Sequence, residues 1–349
     1  MSTLRRIALG LGGLVAAAGA AGVVAERAHT RRRSRLQGSI DRLGSLRGEV
    51  RTVRAGDGVG LHVEVDEPGE QPNGDAGELT IVFVHGYALN HDCWHHQRAW
   101  ARKAGIRAVL YDQRSHGRSE RSEIDNATIE QLGRDLARVI DEACPGPVVL
   151  VGHSMGGMTL LALAEERPEL FGEKVVGVAL VSTTAGGLNP GRVLAPFLPA
   201  DLSGTLAPRA MAALSRVPAA VDLARRRGTE IGTRVISMFA FGERPDPATA
   251  IFVDEMIAQT SFEVLAEFFD NFGRLDKFTV LDSLAHVPTV IVCGTRDKLT
   301  SIGHSRKMAS LLPTADLIEC EGAGHMVILE QPDEVNAALA TLVERASAR

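Results

Sequence analysis

Val148-Val149-Leu150-Val151-Gly152-His153-Ser154-Met155-Gly156-Gly157 is the stretch of the 349-residue chain that decides its fold. Four consecutive apolar residues, three of them β-branched, read as a strand buried on both faces, here Pro147–Val151. Met155–Glu166 follows as a helix, rich in Leu, Ala and Met. The pattern between them is G-x-S-x-G, a strand–turn–helix elbow that exposes a serine hydroxyl above a sheet. Small residues at 152, 156 and 157 suit a turn too tight for a Cβ.

Outward from this elbow the chain alternates strand and helix signals. Strands are expected at Val59–Val65, Leu79–Val84, Ala108–Tyr111, Val175–Val181, Thr289–Cys293 and near Ala315–Glu319. Helices are expected at Asp92–Ala104, from Thr128 with Gln131 placed for a capping box, at Ser305–Leu312 and from Pro332 onward. The alternation predicts an α/β fold, a mostly parallel central sheet with helices on both faces. Residues 185–277 carry helical patterns without a clear strand, which predicts a helical cap insertion. Residues 1–50 read as an N-terminal apolar segment and basic linker, and 51–349 as the catalytic domain.

A serine hydroxyl needs a base, and the base needs a carboxylate to orient it. His325, in Gly324-His325-Met326, lies just before the last helix. Asp297 follows the strand that ends at Cys293. The chain order Ser154, Asp297, His325 is the one this architecture uses. No acid follows the Val175–Val181 strand, where Ser182, Thr183 and Thr184 stand; Asp316 and Glu319 remain as rivals for the acid.

With these motifs in view the sequence resembles the α/β-hydrolase family, over roughly residues 51–349. The resemblance is carried by His85-Gly86-Tyr87, by Asp112-Gln113-Arg114-Ser115-His116-Gly117-Arg118-Ser119, by the elbow, and by Asp297 and His325. His-Ser-Met-Gly-Gly is similar to the elbow of monoacylglycerol lipases, lysophospholipases and cofactor-free haloperoxidase-like esterases. Ser115 and Ser301 stand where many members have Gly and Pro. The resemblance implies an oxyanion hole made by the backbone N–H groups of Tyr87 and Met155. It also implies a serine ester hydrolase acting on a small-molecule acyl ester without a cofactor. Haloperoxidase, perhydrolase and C–C hydrolase chemistry use the same residues and stay open. A non-catalytic binding member is the remaining alternative. Epoxide hydrolases and dehalogenases of the family use Asp where Ser154 stands.

Composition bounds the partners. The chain has 38 Lys and Arg against 43 Asp and Glu, net −5, which argues against nucleic-acid binding. Residues 1–35 hold seven arginines and Glu26 alone, so a +6 head precedes a −11 body. Residues 7–25 are uncharged and close to the ~20 residues that span a bilayer. They read as a membrane anchor with the catalytic domain on the cytoplasmic side of the arginine cluster. Export behind a cleaved signal, or a packed helix, are the alternatives. Cys93, Cys144, Cys293 and Cys320 are too few for a disulfide framework. The i, i+4 spacing of His91 and His95 suits ligands on one helix face, but no carboxylate pattern that would orient them accompanies it and no metal is expected.

Overall fold

The computed structural model describes residues 42–68, 79–189 and 239–348. Among them eight strands form one sheet: β1 Glu49–Arg54, β2 Gly60–Asp66, β3 Thr80–Val84, β4 Arg107–Tyr111, β5 Val148–His153, β6 Val175–Val181, β7 Thr289–Gly294 and β8 Asp316–Cys320. Their order is β1-β2-β4-β3-β5-β6-β7-β8. The pairs β1/β2 and β2/β4 are antiparallel and all the others are parallel. The helices are α1 His95–Lys103, α2 Ile129–Ala143, α3 Met155–Glu166, α4 Pro247–Gln259, α5 Phe262–Arg274, α6 Leu281–Leu284, α7 Ile302–Leu311, α8 Val327–Glu330 and α9 Pro332–Ser347.

Alternation along the strands sends side chains to two cores. Val82, Val84, Leu150 and Leu180 pack with Leu136 and Ile140 of α2 and Leu160 and Leu163 of α3. Ile81, Phe83, Val149, Val151 and Val292 pack with Trp94, Ala101 of α1 and Leu339 and Leu342 of α9. A strand with both faces covered must be apolar throughout, which is why β3 and β5 read as solid hydrophobic runs.

The expected strands and helices recur with shifts of one to three residues at their ends. Strand β1 is the exception, because Glu49 and Val50 fall in what reads as linker. It is an exposed edge strand of mixed charge, tied to β2 through a turn at Gly58 with φ 89°. The capping box of α2 is half formed. The Thr128 hydroxyl accepts the Gln131 N–H at 3.1 Å, but the Gln131 amide turns to Asp135 and Arg134 instead. Between β6 and β7 stand α4, α5 and α6, while residues 190–238 of the expected cap lie outside the described residues.

The expected transmembrane anchor and membrane location are corrected. Among the described residues no helix is long and apolar enough to cross a membrane, and residues 7–25, which carried that expectation, lie outside them. All four cysteines are buried free thiols.

Strand order places the site. The chain runs from β3 to one side and from β5 to the other, and ligands of such sheets bind at the carboxyl ends where the order reverses. Val84 pairs with Gly152 across that point, so the segments following them emerge side by side. A Cβ on Gly156 would sit 2.1 Å from the Val84 carbonyl oxygen, a backbone atom that cannot swing away. Gly156→Ala should therefore destabilise by about 1–3 kcal/mol or more. Gly303→Ala, on an open face of α7 with nothing closer than Ser301 Oγ at 3.7 Å, should be neutral or mildly stabilising. Urea midpoints of the two variants check this, and equal midpoints would contradict the packing argument.

Candidate active site

Ser154 occupies the turn between β5 and α3 with φ 53° and ψ −118°. A non-glycine residue held there is strained, and the surroundings must over-determine it. They do so through the backbone. The Ser154 N–H donates to the Val181 carbonyl at 2.9 Å, and its carbonyl accepts the Thr183 hydroxyl at 2.7 Å and the Gly157 N–H at 2.9 Å. A Cβ on Gly152 would strike the Gly157 nitrogen at 2.6 Å, and one on Gly157 would strike Thr183 at 2.5 Å. The small residues of the motif are demanded by these approaches.

His325 and Asp297 meet above the ends of β7 and β8. The His325 Nδ1 lies 2.9 Å from Asp297 Oδ2. Asp297 Oδ1 accepts the N–H groups of Leu299 and Thr300 at 2.8 and 2.9 Å. Burial alone would raise the Asp297 carboxyl. Attraction to His325, their hydrogen bond and the Leu299 and Thr300 donors reverse this and hold it below the usual carboxylate range. Asp297 is thereby a buried anion pointed at the imidazole. The rivals lie elsewhere: Asp316 pairs with Arg345, and Glu319 with Arg306 at 2.7 Å.

Ser154 and His325 line one cavity together with Gly86, Tyr87 and His153. A Cβ on Gly86 would lie 3.2 Å from Ser154 Cβ, so the segment after β3 passes directly beside the serine. Met155 opens α3, where the first N–H groups have no partner within the helix. The Tyr87 hydroxyl donates to the Leu265 carbonyl of α5, and its ring stands edge-on to Phe272, 5.0 Å between centroids.

Two further histidines serve the site as neutral rings. Burial pushes His85 down to about 3, so it is uncharged. Its Nε2 accepts the Gln113 N–H at 2.9 Å and its Nδ1 donates to the Gly86 carbonyl at 2.8 Å. The Gln113 side chain donates back to the His85 carbonyl at 2.7 Å and accepts the Thr159 hydroxyl of α3 at 2.7 Å. This links the segment after β3 to the helix that begins at Met155. Burial, helped by His325, likewise pushes His153 down to about 3. Its Nε2 donates to the His325 carbonyl at 2.9 Å. The contact from His153 to His325 and the roles of Thr300 and Thr159 had no sequence signal. They depend on side chains meeting across 25 to 172 residues.

The loop after β4 is braced by charge. Arg114 pairs bidentately with Asp135, at 2.6 and 2.7 Å, and with Asp57, at 2.7 and 3.1 Å. Ser115, where many members have Gly, sits at φ 64°, and the backbone conformation explains that preference. Asp112 accepts from His91 Nδ1 at 2.8 Å and from the N–H groups of His91 and Arg118, each at 2.8 Å. His91 Nε2 faces Glu64 Oε1 at 3.2 Å, while His95 Nδ1 accepts the Gly44 N–H, so His91 and His95 turn to different partners. His62, Glu64 and His91 bring donor atoms within 4.8 Å of one another. However, Arg98 and Arg118 already bring cationic groups to Glu64.

Burial opposes a charge on His91, but the attraction and hydrogen bond of Asp112, and then Glu64, raise it to about 9. A group raised in the folded state stabilises fully below its unfolded value, near 6.5, and that contribution is lost as pH climbs through about 9. Thermal stability should fall between these limits in the wild type. His91→Gln should be less stable at pH 6 and show a flatter profile up to pH 9, measured by melting in a pH series. An unchanged slope would remove His91 from the account.

A model of the alpha/beta hydrolase family matches residues 81–338. The chain is 25% identical over 276 residues to an sn-1-specific diacylglycerol lipase of Mus musculus, covering 75% of this chain and 80% of that one. It is 26% identical over 272 residues to 3-oxoadipate enol-lactonase 1 of Acinetobacter baylyi, covering 76% and 88%. Among solved structures, a thermophilic esterase from Thermogutta terrifontis superimposes with a TM-score of 0.66 at 22% identity, covering 86% of this chain and 99% of that one, a likeness of fold. With the elbow, the sheet order and the family match in agreement, the chain belongs to the alpha/beta hydrolase family.

Proposed function

We propose that the protein is a serine hydrolase that cleaves neutral, apolar carboxylic esters through an acyl-enzyme. The observation that carries this reading is the Asp297–His325 pair at 2.9 Å, set in the same cavity as a strained, elbow-mounted Ser154. In the proposed cycle Ser154 Oγ attacks the acyl carbonyl while His325 takes its proton. His325 then protonates the departing alcohol and activates the water that hydrolyses the acyl-enzyme. Asp297 fixes the imidazole tautomer and balances its transient charge. The Tyr87 and Met155 N–H groups receive the oxyanion, and such donors are worth about 10²–10³-fold each.

The cavity supports the substrate class. Its volume is about 350 Å³, at the small end of ligand pockets, which run from about 300 to 1,000 Å³. Leu89, Met158, Phe262, Leu265, Phe269 and Phe272 line it. Among the described lining residues none is Asp, Glu, Lys or Arg. An acyl chain is favoured there, and a carboxylate-bearing one would lose its hydration without a counter-charge.

A fluorophosphonate probe should label Ser154, and Ser154→Ala should abolish labelling; equal labelling of that variant would reassign the nucleophile. Asp297→Asn should lower kcat by about 10³–10⁴-fold, since the imidazole tautomer is then wrong. On a panel of chromogenic esters, acyl chains of about four to eight carbons should be preferred. A half-ester of a dicarboxylic acid should be turned over far more slowly than a neutral ester of equal length. Preference for the charged ester would overturn the assigned substrate class.

A further inference from the structure

Glu330 ends the one-turn helix α8, five residues after His325. Its side chain curls back over that turn. Oε1 accepts the Gly324 N–H at 2.8 Å and Oε2 accepts the Gly242 N–H at 2.9 Å. Gly324 precedes the proposed base. Gly242 lies within the insertion between β6 and β7, shortly before α4. One carboxylate therefore bridges the loop of the proposed base and the insertion.

The two segments are in contact along their backbones. A Cβ on Gly242 would lie 2.2 Å from the Gly322 carbonyl oxygen, and one on Gly324 would lie 2.2 Å from the Gly242 nitrogen. The Met326 N–H donates to the Ala240 carbonyl at 2.9 Å, and Phe241 is buried. His325 is thus held from two sides: by His153 at its carbonyl, and through Glu330 at the residue before it. Burial raises the Glu330 carboxyl, backbone donors including Glu243 offset part of that, and the Asp297 charge adds to it.

We infer that Glu330 is a positioning residue for His325: its carboxylate clamps the loop of the proposed base to the insertion between β6 and β7. The inference rests on the serine-hydrolase reading for its kinetic consequence. The residue type follows from the geometry. Two N–H groups converge on two oxygens, so only a carboxylate satisfies both. An amide of the same size turns an NH2 group against one of them, and Asp is one methylene short.

Glu330→Gln should lower kcat about tenfold or more with KM little changed, because a base misplaced by a fraction of an ångström acts only on the chemical step. The control is Gln331→Ala, which removes a hydrogen bond to the Glu321 carbonyl on the same loop. It should cost stability without lowering kcat. The downfield NMR signal of the His325 Nδ1 proton in each protein reports the same positioning without turnover. Its displacement in Glu330→Gln, and not in Gln331→Ala, supports the inference. An unmoved signal with unchanged kcat, or equal effects in both variants, overturns it. A wild type whose Ser154 is unreactive counts against the hydrolase reading alone, since the NMR comparison still decides the role of Glu330.

Discussion

The structure depends on one close approach: the turn at Ser154 is wedged between the ends of β3 and β6, with no room for a Cβ at positions 152, 156 or 157. A left-handed serine costs about 1–3 kcal/mol and persists only where its neighbours leave no alternative. Here the alternatives are removed by backbone. Val84 crowds Gly156, Val181 receives the Ser154 N–H, and Thr183 grips its carbonyl. The hydroxyl is displayed because the main chain has nowhere else to go. The solid apolar strands on both sides supply the rigidity that holds this turn, since each is packed on both faces.

Electrostatics around the turn divide into two regimes. His85 and His153, deep in the protein with backbone partners, are driven neutral by burial and act as oriented hydrogen-bonding rings. His91, equally buried, is held charged because Asp112 and Glu64 face its two nitrogens. Residue type and burial are the same, and the partner decides the protonation state. The neutral His153 ring stands 4.9 Å from that of His325, the proposed base, where a fixed positive charge would oppose an imidazolium. The charged His91 ring holds Asp112, which also takes the Arg118 N–H of the loop after β4.

The insertion between β6 and β7 meets the loop of His325, the proposed base, away from the cavity as well as at it. Gly242 and Gly324 run back to back, and Glu330 spans them. The placement of that loop is thereby tied to the position of the insertion.

Much of the architecture was legible in the residues themselves. Periodicity exposed β2 to β8 and the main helices, because buried strands and amphipathic helices leave different spacings. The strand–G-x-S-x-G–helix context named Ser154, and chain order pointed to Asp297 and His325. The N-terminal arginines and apolar run suggested a membrane anchor, an expectation now withdrawn, since length and apolarity describe a segment and not where it is placed. Edge strand β1 escaped because an exposed, charged strand lacks the apolar signature. The contacts that bring Asp297 to His325 and send Asp316 and Glu319 to Arg345 and Arg306, pair His153 with the His325 carbonyl, and bring Glu330 to Gly242 and Gly324 came only from tertiary structure. The physical reason is that a sequence pattern reports which face a residue presents, whereas a hydrogen bond between residues 172 or 88 positions apart depends on how the strand ends are arranged in space.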